Sequence, residues 1–274
     1  MEKHAKIKSV QNIFSARFWA YVRAVPFGKK IIRTAFSLYF MPRYGGGMEI
    51  NMQEENTNNG NNERDNADII TTKNSRGCIK CLNIIGTIEG HTIASPQCKT
   101  TKYEHVLPQL VELEEDDDAD GLLILLNTVG GDVEAGLAIA EMISGLSKPK
   151  VSLVLGGGHS IGVPLSVSAD VSYIAHSATM TIHPMRTSGV VIGVSQTFEY
   201  MKRMQDRIID FIVRHSNIEY DTYKKMMLTT DEIANDVGSV LFGAKAVECG
   251  LIDRVGTLRD ALDCLYGLIE KNKR

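Results

Sequence analysis

The chain has 274 residues, 43% apolar and 23% charged, which is ordinary for a soluble globular protein. Its net charge of −3 conceals an asymmetry: residues 1–43 hold nine Lys or Arg against Glu2 alone, leaving 21 basic and 32 acidic residues for the rest. That acidic body lacks a basic stripe with interleaved aromatics, which excludes nucleic-acid binding, and five irregularly spaced cysteines exclude a disulfide framework and fit a reducing compartment.

No apolar run approaches the ~20 residues that span a bilayer. Phe36–Met41 is too short for a signal-peptide core, so the expected location is cytoplasmic. Residues 1–47 mix basic and aromatic side chains, among them Phe18, Trp19 and Tyr21. They read as a basic extension, either disordered or an amphipathic helix making peripheral membrane contact; Met48 would serve equally as a start. Residues 48–77 are rich in Asn and acids and read as a linker.

From residue 78 the texture becomes that of a folded domain, 78–274. Leu82–Ile88 predicts a strand and Tyr103–Leu113 a helix, with Val106, Leu110 and Leu113 on one face. Glu114–Asp118 and Asp120 lack metal-ligand spacing and read as a solvated loop. Leu122–Leu126 is a strand buried on both faces. A Gly-Gly turn and a helix over Val133–Leu146 follow. Lys150–Leu155 is the next strand, then Val171–Ala175 and Thr179–Ile182. Gln196–His215 is a long helix, followed by shorter ones at Tyr220–Leu228 and Ala244–Cys249. Leu251–Val255 is a strand and Leu258–Ile269 a closing helix. Alternating strands and helices imply an α/β fold with a mostly parallel sheet.

Gly158-His159-Ser160-Ile161-Gly162 follows a buried strand and opens a helix. A serine at that helix end sits among unsatisfied N–H groups able to hold an oxyanion; a glycine-flanked helix cap would read the same way. Serine needs a base to be nucleophilic. His183 supplies one, because it ends a strand and precedes Pro184, whereas His159 should point away from the serine. Asp231, Glu232 and Asp236 lie in the right region for the carboxylate that orients the imidazole. An α/β-hydrolase elbow would need a histidine late in the chain, and none follows His215. Asn127–Asp132 forms a second donor loop around Gly130 and Gly131. Cys78 and Cys81 begin a strand without further ligand pairs, so they read as core or chance.

Four segments in order resemble the Clp protease proteolytic subunit (ClpP) family: LLILLNTVGGDVEAGLAIAEMI, GGGHSIGVPLSVSAD, ATMTIHP and AKAVECGLIDRVG. The wording NTVGGDVEAGLAIAEM and HSIGVP resembles the family's translocation-enhancing branch. The resemblance spans residues 80 to 270 or so. It implies a ClpP/crotonase-like spiral of ββα units with a protruding handle helix at Gln196–His215. Its apolar Ile208, Ile209, Phe211, Ile212 and Val213 would contact another subunit or pack in the core.

The resemblance further implies a serine endopeptidase acting on peptides or unfolded proteins inside a homo-oligomer of stacked rings, with no cofactor or metal. Ser160 would be nucleophile and His183 base. Gly131 and Ile161 would supply the oxyanion N–H groups. The family's second Asp aligns without gaps on Gly238, and a two-residue shift makes Asp236 the acid. The basic extension has no family counterpart, which leaves an ATPase unfoldase partner open. A non-catalytic assembly factor in protein export and a crotonase-type acyl-CoA enzyme are the alternatives.

Overall fold

The computed structural model describes residues 69–189, 191–230 and 237–273. Nine strands form the sheet among these residues. They are β1 (Ile70–Asn74), β2 (Gly77–Glu89), β3 (Thr100–Lys102), β4 (Gly121–Gly131), β5 (Lys150–Gly158), β6 (Val171–Ile174), β7 (Thr179–Ile182), β8 (Ser239–Phe242) and β9 (Arg254–Val255). The main order is β1-β2-β4-β5-β6-β9; β3 pairs with β2, and β7 bridges β5 and β8. All pairings are parallel except β1–β2 and β7–β8.

The helices are α1 (Tyr103–Glu115), α2 (Val133–Gly145), α3 (Gly162–Val167), α4 (Val194–Arg214), α5 (Tyr220–Met227), α6 (Gly243–Glu248) and α7 (Leu258–Asn272). Alternation along β4 explains the layers. Leu122, Ile124 and Leu126 enter one core with α1 and α2, while Leu123 enters a second core with Leu265 and Ile269 of α7. A strand covered on both faces reads as an unbroken apolar run, as β4 does. Asp132 caps α2 by accepting from Ala135 N at 2.8 Å, and Thr257 and Asp260 form a capping box on α7.

Two sequence readings need correction, and one left open is decided. The sheet starts inside the expected linker 48–77, at Ile70, because β1 pairs with β2 through main-chain bonds while its five side chains stay exposed. The acids Glu114–Asp120 are not simply solvated. Asp116 pairs with buried Lys80 at 2.8 Å, and Asp120 accepts from Cys78 N at 2.7 Å and pairs with Lys273. Lastly, Ile209, Phe211 and Ile212 of α4 lie in the core of their own chain, with Ile208 and Val213 packed against it. The exposed apolar residues of this region instead precede them: Ile192, Val194, Phe198 and Tyr200.

Candidate active site

β4 and β5 run parallel and end side by side, and Thr128 pairs with Gly158 at their carboxyl ends. Two loops therefore meet there. Asn127 Oδ1 accepts from Gly157 N at 3.0 Å, and His159 N donates to Thr128 O at 3.2 Å. Thr128, fully buried, donates to Gly86 O at 2.6 Å and accepts from Gly130 N at 3.1 Å. The glycines of the turn are required by space. Gly130 has φ +90°, and a Cβ on it would lie 2.7 Å from Ser160 Cβ and 2.9 Å from His159 O.

Ser160 is the one non-glycine among the described residues with positive φ, at 57°. That left-handed conformation costs a β-carbon-bearing residue roughly 1–2 kcal/mol, so surrounding bonds must impose it. They are on both sides: Ser160 N donates to Thr181 O at 2.8 Å, and Val163 N donates to Ser160 O at 3.0 Å. Thr181 lies on β7, two residues before His183. The serine loop is thus bonded directly to the histidine strand. His159 adds a second bond, with its Nδ1 2.9 Å from Thr181 Oγ1 and its ring over Gly157. Burial pushes the His159 pKa below its ordinary value.

Ser160 and His183 line one cavity of about 150 Å³ together with Gly131 and Ile161. Gly162 and Val163 spend their N–H groups on His159 and Ser160 carbonyls, while the Ile161 N–H has no partner among the described residues. The ladder bond at the end of β4 is made by Asp132 N to Ile88 O at 2.9 Å. Because successive groups on a strand alternate sides, the Gly131 N–H faces away from β2. The cavity also takes Val133, Met185, Arg186, Gln205, Ile208, Tyr223 and Met227. Of these, Gln205 and Ile208 come from α4, and Tyr223 and Met227 from α5.

His183 Nδ1 lies 2.7 Å from the Pro184 carbonyl oxygen. That contact makes Nδ1 the donor and leaves Nε2 as the basic nitrogen. No hydrogen bond joins Ser160 Oγ to His183 among the described residues. Gly238 packs its main chain on this strand: a Cβ there would lie 2.9 Å from His183 Cβ and closer still to Ile182 O. A carboxylate side chain at position 238 is therefore sterically excluded. Gly238 N donates to Thr229 O at 2.7 Å. Asp236, with Asp231 and Glu232, lies outside the described residues.

A profile of the Clp protease family matches residues 79–259. The chain belongs to the Clp protease family. It is 55% identical over 195 residues to the translocation-enhancing protein TepA of Halalkalibacterium halodurans, covering 71% of this chain and 76% of that one. It is 26% identical over 156 residues to an ATP-dependent Clp protease proteolytic subunit of Protochlamydia amoebophila, covering 55% and 72%. A solved point mutant of ClpP1 from Listeria monocytogenes superposes with TM-score 0.53 at 22% identity, over 66% of this chain and 94% of that one. That likeness carries the fold: a ClpP-like α/β architecture.

The Clp-family cavity has contributors that the sequence reading missed. The Thr181–His159 bond depends on where β7 lies against the serine loop, which pattern alone does not give. Tyr223, Gln205 and Arg186 carry no local signature, because tertiary packing alone brings α4 and α5 to the serine loop. Among the described residues no group of three or more His, Cys, Asp or Glu side chains could hold a metal ion, and no helix is long and apolar enough to cross a membrane.

Proposed function

We propose that this chain is a cytoplasmic serine endopeptidase that cleaves peptides or unfolded protein in a homo-oligomeric chamber. The observation that carries this reading is Ser160. It is held in a left-handed conformation at the head of α3, and it shares a cavity with His183 and with the free Ile161 N–H. In the proposed reaction Ser160 Oγ attacks the scissile carbonyl carbon while His183 Nε2 takes its proton. The oxyanion sits on the Gly131 and Ile161 N–H groups, usually the largest single stabilisation in acyl transfer. Collapse of the intermediate releases the amine, which receives the proton from His183. Water then repeats the sequence on the acyl-enzyme.

Catalysis requires Ser160 Oγ and His183 Nε2 within ~2.6–3.2 Å, a separation that substrate-free sites often reach only with substrate bound. Asp236 is the proposed third member, supported by the packing of Gly238, two residues on, against His183. The TepA name supports a link to protein translocation; residues 1–47, the proposed peripheral membrane contact, lie outside the described residues. Hydrolysis of an unfolded protein such as casein tests the activity. Wild-type protein should release peptides and Ser160→Ala should release none.

One observation favours a second reading. His183 Nδ1 is bonded to Pro184 O and to no carboxylate among the described residues. A non-catalytic assembly factor in protein export would tolerate that arrangement. Export that survives Ser160→Ala in the cell would select this reading.

A further inference from the structure

The cavity beside Ser160 contains a polar group that the proposed reaction does not use. Tyr223 is only 4% exposed, lines the cavity, and its hydroxyl has no hydrogen-bond partner among the described residues. Of the fully enclosed side-chain polar atoms of the described residues only Gln109 Oε1 lacks a partner, so the Tyr223 hydroxyl is open to the cavity, where water or a ligand can bond it. Burial holds the phenol pKa far above its ordinary value, so the group stays a neutral donor at any working pH.

Two neighbours match it. Gln205 accepts from Met185 N through Oε1 at 3.1 Å, which leaves its NH₂ as a donor without a partner among the described residues. Arg186, exposed beside the cavity, makes no ion pair among the described residues. Among the described residues no Asp or Glu lines the cavity, while Ile208 and Met227 give it apolar walls. About 150 Å³ accommodates one group of benzene-like size. Apolar walls suit a methylene stem, and three unpaired donors suit an acceptor at its tip.

Resting on the serine-peptidase reading, we infer that this cavity receives the side chain preceding the scissile bond. It selects one with a short methylene stem ending in a carbonyl or carboxylate oxygen, as in glutamine or glutamate, bound by Tyr223 and Gln205. A site whose donors are matched only by an oxygen-bearing side chain discriminates against an apolar isostere, because leucine would displace their water and leave those donors unpaired. Arg186 separates the two candidates, since its charge favours glutamate.

The test needs no turnover. Acetylated tripeptides identical except for a C-terminal Gln, Glu, Leu or Ala are titrated onto the full-length protein by calorimetry. The Gln or Glu peptide should bind about tenfold tighter than the Leu peptide. Tyr223→Phe, which removes one unbonded oxygen and keeps the ring, should erase most of that preference and leave Leu binding unchanged. Gln205→Leu should act in the same direction. Arg186→Gln should weaken Glu alone if glutamate is the better ligand. Equal or tighter binding of the Leu peptide, an unaltered preference in Tyr223→Phe, or no binding of any of the four would overturn the inference. Failure of Ser160 to react with a fluorophosphonate while the binding preference persists would instead remove the peptidase reading and keep the side-chain site.

Discussion

The imidazole of His159 and the hydroxyl of Thr181 lie 2.9 Å apart, and this contact fastens the serine loop to the strand that ends at His183. Thr181→Val keeps side-chain shape and strand preference but removes the bond. If the contact positions Ser160 against His183, kcat should fall about tenfold or more while KM stays within about twofold, the pattern of a lost transition-state alignment. Steady-state kinetics on a peptide substrate checks this. His159→Asn, which can still offer the Thr181 hydroxyl a partner, should lose less than Thr181→Val.

The same histidine sets a pH dependence. Burial lowers the His159 pKa below its ordinary 6.5, so the unfolded chain binds more protons than the folded one in that window. The contribution to stability is therefore complete above about pH 6.5 and is lost as pH falls through that value towards the folded pKa. Urea unfolding at pH 7.5 and 5.5 should show lower stability at the acid value. His159→Asn should reduce the difference.

Gly130→Ala should damage the site more than its size suggests. The residue has φ +90°, and the added methyl would press on Ser160 Cβ and His159 O. A strained backbone of this kind costs roughly 1–3 kcal/mol. The melting temperature should drop and Ser160 should lose its reactivity. Gly145→Ala, at a helical position with nothing within 4 Å, is the control and should be neutral or stabilising.

The first turns of α4 bear on assembly. Phe198 is 66% exposed and Val194 78%, on a helix whose second half is anchored in the core. In the proposed ring assembly these residues meet another copy of the chain. Phe198→Glu should shift the sedimentation profile to smaller species and leave the monomer's circular dichroism unchanged.

Long apolar periodicities made most of the fold legible. β4 was visible because it is buried on both faces, and α4 because its apolar residues recur at helical spacing. β1 was not visible, since ITTKN buries nothing and is held only by main-chain bonds to β2. β8 was missed for a related reason: it is four residues long and is fixed by pairing with β7 from far away in sequence. At the site, the motif around Ser160 and the strand-end position of His183 were readable. The left-handed Ser160 and its bond to Thr181 were not, because both depend on where β7 lies in space. Nor could the sequence give the Tyr223 cavity, which two helices complete from outside the motifs. Gly238 shows the limit most clearly: its place in the chain suggested a missing carboxylate, and its packing against His183 gives the steric reason for glycine.

The central claim is that Ser160 is an activated nucleophile. Reaction with a fluorophosphonate followed by peptide mass spectrometry tests it most directly. The account predicts a single adduct on Ser160, absent in Ser160→Ala and strongly slowed in His183→Ala. Well-folded protein that forms no adduct, or an adduct whose rate His183→Ala leaves unchanged, would contradict it.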